Sequence, residues 1–117
     1  MKVLVLNGSP KGESSNTMLL TRTFLEGAGW TDAEVINVAK ADVKPCLGCY
    51  VCWHTTPGKC VIKDTVVEIL TKIILADVII WSFPLYYFSV PGGLKNLIDR
   101  QLPLNFQKWY PAQYARG

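Results

Sequence analysis

The sequence predicts an α/β fold, a doubly wound layer in which parallel strands alternate with helices. Two observations favour it. Residues 3–7 and residues 78–83 are near-continuous apolar runs ended by turn residues or proline, which is the pattern of strands buried on both faces. Segments with helical periodicity separate the predicted strands, and this alternation is typical of a parallel sheet covered by helices.

The first predicted strand leads into a helix. Residues 3–7 stop at Gly8, and after a polar loop either Ser15 or Asn16 can cap the helix that follows. This helix is expected to end near Gly29, because glycine is favoured just beyond a helix C-terminus. The residues predicted to share one face of the helix are Leu20, Phe24 and Ala28.

A second short strand is predicted at residues 33–38, and a long loop follows it. Residues 40–60, hereafter the cysteine loop, have the period of neither a helix nor a strand. Loops of this length are uncommon in compact domains unless they carry function. The residues that break regular structure in it are Pro45, Gly48, Pro57 and Gly58.

The second half of the chain supplies two more helices and the third strand. Residues 65–68 have the form of a capping box at the start of a helix, which precedes the strand at 78–83. Pro84 ends that strand, residues 85–90 form a loop, and Pro91 stands in the first turn of the last helix. The residues predicted to face inward are Val66, Leu70, Ile73 and Ile74 in the first of these helices and Leu94, Leu97 and Ile98 in the second.

Length and composition indicate one small domain, residues 1–117. A chain of 117 residues, 50% of them hydrophobic and 18% charged, can close one modest core. The net charge of +3 comes from scattered basic residues, so nothing favours a nucleic-acid partner. The N-terminus lacks the features of a secretory signal, and Asp77 and Pro84 interrupt the apolar stretch at 73–90. We therefore predict a cytoplasmic protein that does not contact membranes.

No fourth or fifth strand is apparent in the sequence beyond Leu102. A sheet of three strands has an uncovered edge, which favours aggregation unless another chain or the C-terminal tail covers it. We therefore expect either a homo-oligomer or a shortened domain from which C-terminal strands 4 and 5 are missing.

Four cysteines form one tight group, Cys46, Cys49, Cys52 and Cys60, with the spacing C-x2-C-x2-C-x7-C. In a reducing compartment such a group is more typical of metal ligands or redox thiols than of disulfides. Thiolates in a compact run can hold an iron-sulfur cluster. Zinc is the weaker alternative, because structural zinc usually takes its ligands as two separated pairs. A reduced, metal-free loop is the third possibility.

The loop between the first strand and the first helix is rich in small hydroxyl residues. In residues 8–17, hereafter the first loop, hydroxyls and backbone N–H groups at a helix N-terminus can enclose a phosphate, and Lys11 would add a positive charge. Neither the nucleotide P-loop motif nor the dinucleotide-binding G-x-G-x-x-G motif is present. A solvated polar turn with a helix cap is the equally open alternative.

Residues 84–89, hereafter the aromatic loop, follow the third predicted strand. Open α/β sheets bind ligands at the carboxyl edge of their strands, so a planar ring could stack on this loop. Aromatic residues are also ordinary core residues, and the sequence leaves that alternative open.

The other polar and aromatic residues give no case for acid–base catalysis. His54, the single histidine, is expected to be an exposed loop residue, and Asp99 with Arg100 is interpreted as a surface or inter-helix pair. Trp53 could shield a site at Cys52 from water. The tryptophans interpreted as packing residues are Trp30, Trp53, Trp81 and Trp109.

Three segments taken together resemble a known family. They are residues 7–11 with 15–17, the cysteine run at 46–52, and residues 84–96. In this order they are similar to the NADPH-dependent FMN reductase and iron-sulfur flavoprotein family, over residues 1 to about 100. The resemblance implies a flavodoxin-like doubly wound parallel sheet, shortened here to three recognisable strands.

The resemblance also implies cofactor sites. In the family the first loop binds the FMN phosphate, and the aromatic loop lies against the isoalloxazine ring and the ribityl chain. The residues implied here are Ser9, Lys11, Ser15, Asn16 and Thr17 for the phosphate and Pro84, Leu85, Tyr86, Tyr87, Phe88 and Ser89 for the ring. The residues implied as ligands of a 4Fe-4S cluster are Cys46, Cys49, Cys52 and Cys60.

We therefore predict an FMN-dependent NAD(P)H oxidoreductase or electron-transfer flavoprotein that passes electrons to an acceptor. The flavin carries the chemistry, so no catalytic side chain is predicted. A non-enzymatic electron-transfer or metal-binding module and a truncated remnant with a vestigial flavin site are the alternatives. Family members continue through two more strands and a further flavin loop, so a neighbouring subunit is expected to complete the site, or FMN to bind weakly.

Overall fold

Three parallel strands form one sheet with the order β2-β1-β3. A computed structural model describes residues 1–104 of the chain. The strands are β1 (Val3–Asn7), β2 (Glu34–Asn37) and β3 (Val78–Ser82). In the central strand Val5 is aligned with Val35 on one side and with Ile80 on the other. This arrangement confirms the predicted parallel α/β sheet.

Within residues 1–104, four helices connect and cover the strands. They are α1 (Asn16–Ala28), α2 (Val51–His54), α3 (Val66–Leu75) and α4 (Gly92–Asp99), with short 3-10 turns at Gly12–Ser14 and Val38–Lys40. The Ser15 hydroxyl accepts from the Met18 amide and begins α1, while Gly29 ends it at φ 75°. Both ends agree with the prediction. None of the helices among residues 1–104 is long and apolar enough to cross a membrane.

The central strand β1 contributes to a core on each face of the sheet. All five of its residues are buried. Leu4 and Leu6 belong to the cluster that includes residues of α3 and α4, whereas Val3 and Val5 belong to the cluster that includes residues of α1. Because side chains alternate along a strand, this division follows directly from the apolar run in the sequence.

The predicted inward face of α1 is wrong. Leu20 and Phe24 are 71% and 56% exposed, and Ala28 is exposed as well. The buried residues of α1 are Met18, Thr21 and Leu25. Thr21 interrupts the apolar pattern of this stripe, and its buried hydroxyl donates to the Thr17 carbonyl at 2.9 Å and contacts the Ser82 hydroxyl of β3 at 2.7 Å.

The start of α3 also differs from the predicted capping box. The Thr65 side chain makes no capping hydrogen bond and donates instead to the carbonyl of Asp42. The Asp64 carboxylate accepts from the amide of Val66 at 3.1 Å. Along the helix Val66, Ile69 and Leu70 are buried, Ile73 is half-buried, and Ile74 is 65% exposed. Ile69 therefore faces inward, and the predicted inward position of Ile74 is wrong.

The predicted ends of the second and third strands differ from the observed ends by at most one residue. β2 is shorter than residues 33–38, and β3 ends at Ser82. The cysteine loop is irregular apart from α2 and the end of the second 3-10 turn. In α4, Leu94 and Leu97 are buried and Ile98 is half-buried, as predicted. Trp109 and the other aromatic residues of the tail beyond 104 lie outside the described residues.

Candidate functional site

The first loop and the aromatic loop meet at the carboxyl edge of the sheet. The first loop follows the central strand β1, and the aromatic loop follows its neighbour β3. A backbone hydrogen bond of 2.8 Å from the Gly8 amide to the Ser82 carbonyl joins the two strand ends. The chain leaves β1 for β2 on one side and reaches β3 on the other, and such a switch of direction is where open α/β sheets bind ligands.

Asn7 holds the first loop in one conformation. Its side chain is fully buried at the end of β1. The amide nitrogen Nδ2 donates to the Gly12 carbonyl and to Oδ1 of Asn37, both at 2.9 Å, and Oδ1 accepts from the Ser9 amide at 3.1 Å. The loop is therefore shaped by hydrogen bonds within the chain before any ligand is present.

The five residues implied for phosphate binding lie together in this loop and in the first turn of α1. Ser9 and Ser15 are 3% and 5% exposed, Lys11 and Asn16 are exposed, and Thr17 is half-buried. The Ser9 hydroxyl accepts from the Lys11 amide at 3.3 Å, and the Ser15 hydroxyl accepts from the Met18 amide at 3.1 Å.

Several donors of the first loop remain for an anion. A hydroxyl that accepts a backbone bond keeps its own proton for a second partner. The amides of Asn16 and Thr17 lie in the first turn of α1, where no helical carbonyl can accept from them. The Lys11 ammonium adds a mobile positive charge. Together with the positive end of the helix dipole, these groups favour a phosphate at this position.

The start of α4 packs directly against the first loop. A Cβ atom added at Gly8 would lie 2.6 Å from Cδ2 and 2.9 Å from Cβ of Leu94. Gly8 is therefore required by this close approach. Leu94 is fully buried, so the helix that follows the aromatic loop also supports the first loop.

The aromatic loop is a tight turn that presents two rings to solvent. Tyr86 and Ser89 exchange backbone hydrogen bonds of 2.9 and 3.1 Å. Between them Tyr87 and Phe88 have φ values of 48° and 63°, and they are 96% and 92% exposed. Their ring centroids lie 5.8 Å apart in an edge-to-face contact. Pro84 is half-buried, and Leu85 is exposed like the four residues after it. The six implied residues thus form an outward-facing surface.

The four cysteines line one cavity, which Arg100 also lines. Cys52 is buried, Cys49 is exposed, and Cys46 and Cys60 are intermediate. The sulfur of Cys46 accepts from the Gly48 amide, and that of Cys60 accepts from the Ile62 amide, each at 3.4 Å. Each of these two sulfur atoms thus has a backbone donor.

The electrostatics of this cavity show that its thiols influence one another. Burial raises the pKa of the Cys52 thiol, and negative charge on Cys60, Cys46 and Cys49 raises it further. Within residues 1–104, no three or more His, Cys, Asp or Glu side chains are arranged to hold a metal ion. The thiols thus share a cavity and one electrostatic environment without forming a closed single-ion site.

Trp53 connects the cysteine loop to the end of the α4 segment. Its indole Nε1 donates to the Leu102 carbonyl at 2.8 Å, and its ring lies 5.2 Å from that of Tyr50 in an edge-to-face contact. Tyr50 precedes α2 with a φ of 56°. Trp53 is half-buried and follows the buried Cys52, but it is not among the described residues that line the cysteine cavity, so the shielding role stays a prediction. His54, at the end of α2, is exposed as predicted.

Asp64 and Arg100 form a buried ion pair that sequence reasoning missed. The Arg100 side chain is 1% exposed and that of Asp64 is 0% exposed, and the two make hydrogen bonds of 2.8 and 3.0 Å. The predicted pairing of Arg100 with Asp99 is wrong, because Asp99 pairs with Lys95 one turn earlier in α4. No local pattern reveals the pair, since its members are 36 residues apart.

This pair changes the acidity of Asp64. Burial alone would raise the pKa of the carboxyl group. Hydrogen bonds from Arg100 and from the amides of Lys44 and Val66 outweigh burial and hold the pKa of Asp64 at about 2. Asp64 is therefore ionised at neutral pH and keeps the charge of Arg100 compensated.

Comparison with known proteins gives a family match. The family model described as NADPH-dependent FMN reductase matches residues 1–111. An iron-sulfur flavoprotein of Methanocaldococcus jannaschii is 42% identical over 106 residues, which is 89% of this chain and 53% of that protein. An iron-sulfur flavoprotein of Archaeoglobus fulgidus is 37% identical over 102 residues, covering 86% of this chain and 48% of that protein. The chain thus spans about half the length of the curated relatives it matches.

A solved structure has the same fold. The crystal structure of an FMN-dependent NADH-azoreductase from Bacillus anthracis, in complex with FMN, matches with a TM-score of 0.64 at 23% sequence identity. The match covers 85% of this chain and 54% of the azoreductase. At this identity the likeness establishes the flavodoxin-like α/β fold.

Proposed function

This chain belongs to the NADPH-dependent FMN reductase family, and we propose on that premise that it binds FMN and transfers electrons from NAD(P)H to an acceptor. The observation that carries the proposal is the first loop. It is buried at Ser9 and Ser15, fixed by Asn7, and supplied with unused donors at the start of α1. A loop shaped in advance for an anion costs little ordering entropy when a phosphate binds.

The aromatic loop supports the same proposal. Residues other than glycine seldom adopt positive φ, and two successive aromatic residues at positive φ cost of order 1 kcal/mol or more each. Tyr87 and Phe88 both adopt it while remaining almost fully exposed. Because the two side chains are exposed, packing in the core does not compensate for the strained backbone of the turn. A planar ring seated on the turn would cover these side chains and account for their presence.

Bound FMN would supply the hydride-accepting and electron-transferring chemistry. The residues of this chain would fix its position. Ser9, Ser15 and the amides of α1 would bind the phosphate, Lys11 would balance its charge, and the aromatic loop would exclude water from one ring face. No side chain of the first loop or the aromatic loop is required to move a proton.

We propose further that Cys46, Cys49, Cys52 and Cys60 hold a 4Fe-4S cluster. The four thiols line one cavity, and two of them accept backbone N–H bonds. Zinc is the weaker alternative, because structural zinc usually takes its ligands as two separated pairs, whereas three of these cysteines form one compact run. The names of the iron-sulfur flavoprotein relatives support this assignment.

A comparison of FMN with riboflavin tests the phosphate site, because the two flavins differ only in the phosphate. We expect the chain to bind FMN at least about tenfold more tightly, which corresponds to about 1.4 kcal/mol. Fluorescence quenching of each flavin measures the two affinities. In the Lys11→Ala variant, the ratio of FMN affinity to riboflavin affinity should be smaller than in the wild type.

Lys72→Ala is the control, since Lys72 pairs with Glu34 beside the beginning of the sheet, at the edge opposite the first loop. It should leave the ratio unchanged. Equal affinities of the wild-type chain for FMN and riboflavin would show that the first loop does not bind the phosphate.

We also propose that residues 1–117 form a single domain that acts as a homo-oligomer. Within residues 1–104, β2 and β3 each pair with one strand only and so leave two open sheet edges. A second copy that covered the β3 edge would lie beside the strand that leads into the aromatic loop. Light scattering of the purified chain tests this, and a stable monomer at micromolar concentration would contradict it.

A further inference from the structure

Arg100 has an unusual position for a charged residue. It is 1% exposed, and it lines the same cavity as the four cysteines. A buried guanidinium is costly unless its charge is compensated and its donors are satisfied. The partners of each nitrogen therefore indicate what the residue does.

Two of the three guanidinium nitrogens of Arg100 have hydrogen-bond acceptors. Nη1 donates to Oδ2 of Asp64 at 2.8 Å and to the Lys44 carbonyl at 2.7 Å, and Nη2 donates to Oδ1 of Asp64 at 3.0 Å. The Nε–H group is buried and has no acceptor within residues 1–104. A buried donor without an acceptor costs about 1–3 kcal/mol, so it calls for a partner.

The chemistry of the cavity suggests that partner. The sulfur atoms of the four cysteines share this cavity with Arg100 and are acceptors for an N–H group. Asp64 is not among the residues that line the cavity, whereas Arg100 is. The positive member of the pair is therefore the one that faces the sulfur atoms.

We propose that Arg100 is a positioning residue for the group held by the four cysteines, with its Nε–H donating to a sulfur atom of that group. This inference rests on the proposed cluster function. A cluster held by these four thiolates would carry negative charge and would supply one-electron transfer, so its reduced state would be the more negative one. Arg100 would exchange neither a proton nor an electron. Its charge and its N–H group favour the reduced state.

The double variant Arg100→Gln with Asp64→Asn tests the inference. Removing both charges leaves no uncompensated buried ion, and the amides can still hydrogen-bond to each other. After reconstitution with iron and sulfide, the wild type and the variant are reduced at a fixed solution potential. We expect the ratio of reduced to oxidised cluster to fall about tenfold in the variant, which is about 59 mV for a one-electron couple.

The matched control is Lys72→Gln with Glu34→Gln, which also removes one charge pair, at the opposite edge of the sheet. It should leave the ratio unchanged. Iron content and circular dichroism show whether each variant is loaded and folded. If the double variant does not fold, Arg100→Lys keeps the charge but removes the planar group, and it should shift the ratio in the same direction by a smaller factor.

The possible failures are distinguishable. Loaded, folded variants that keep the wild-type ratio would overturn the role of Arg100 and leave the cluster in place. A wild-type chain that takes up no iron would overturn the cluster and this inference together, while FMN binding would stand on its own measurement.

Discussion

The first loop and the cysteine loop both follow strands of the same sheet, but they are held in different ways. Asn7 holds the first loop through partners close by, Ser9 and Gly12, and only one of its bonds reaches farther, to Asn37. The cysteine loop is held from the far end of α4. Its contacts with Arg100 and Leu102 join residues 56 and 49 positions apart.

The difference teaches what each loop depends on. The first loop is held close to the sheet, by Asn7 at the end of β1, by Asn37 at the end of β2 and by Leu94 at the start of α4. The cysteine loop is held by contacts with Arg100 and Leu102, just beyond α4, and Arg100 is itself fixed by the buried pair with Asp64. Damage to that pair should therefore reach the cysteines and leave the first loop largely unchanged.

The largest effect is expected for Asp64→Ala. It leaves Arg100 buried without a counter-charge, and breaking such a pair typically costs about 3–5 kcal/mol. Chemical denaturation measures the loss. The control Asp42→Ala removes the carboxylate of an exposed pair with Lys44 and should cost at most about 1 kcal/mol. Similar losses in the two variants would contradict the special role of the buried pair.

Acid should weaken the same contact in a defined pH range. The pKa of Asp64 falls from its ordinary value of 3.8 to about 2 on folding. Stability from the ionised carboxylate is therefore complete above about pH 4 and is lost as the pH falls to about 2, by about 2 kcal/mol. Denaturation curves across this range test the prediction. Asp64→Asn should show a correspondingly smaller loss, and an identical pH profile in the variant would refute it.

Gly8→Ala probes the close contact beneath the first loop. The added methyl group would overlap Leu94, and overpacking of this kind costs about 1–3 kcal/mol. The thermal unfolding temperature and the affinity for FMN should both decrease. Gly27→Ala is the matched control, because nothing lies within 4 Å of its added Cβ in α1. That variant should gain up to about 1 kcal/mol from helix propensity. A loss in both variants would mean that the overlap is not the cause.

The smallest effect is expected in the aromatic loop and has the opposite sign. Replacing Tyr87 by Asn and Phe88 by Gly puts residues that tolerate positive φ into the turn. Stability should rise by about 1 kcal/mol while FMN affinity falls, since the exposed rings are lost. Thermal unfolding and flavin titration are the two measurements. Unchanged FMN affinity would show that the aromatic loop is not part of the flavin site.

The same contrast explains what the sequence could predict. The strands, both ends of α1 and the grouping of the first-loop residues follow from local signals such as apolar runs, hydroxyl caps and glycines. The inward face of α1 does not, because the buried Thr21 is polar and its hydroxyl contacts that of Ser82, 61 residues away in the sequence. The pairing of Asp64 with Arg100 likewise requires the finished fold, since only docking of α4 brings them together.

An anaerobic absorbance titration of this chain with FMN and then with NADPH most directly tests its proposed function. We expect stoichiometric FMN to give a spectrum distinct from that of free FMN, and NADPH to bleach the visible flavin bands of the bound cofactor. A spectrum that remains that of free FMN, with no reduction beyond the rate without protein, would contradict flavin binding by the first loop and the aromatic loop.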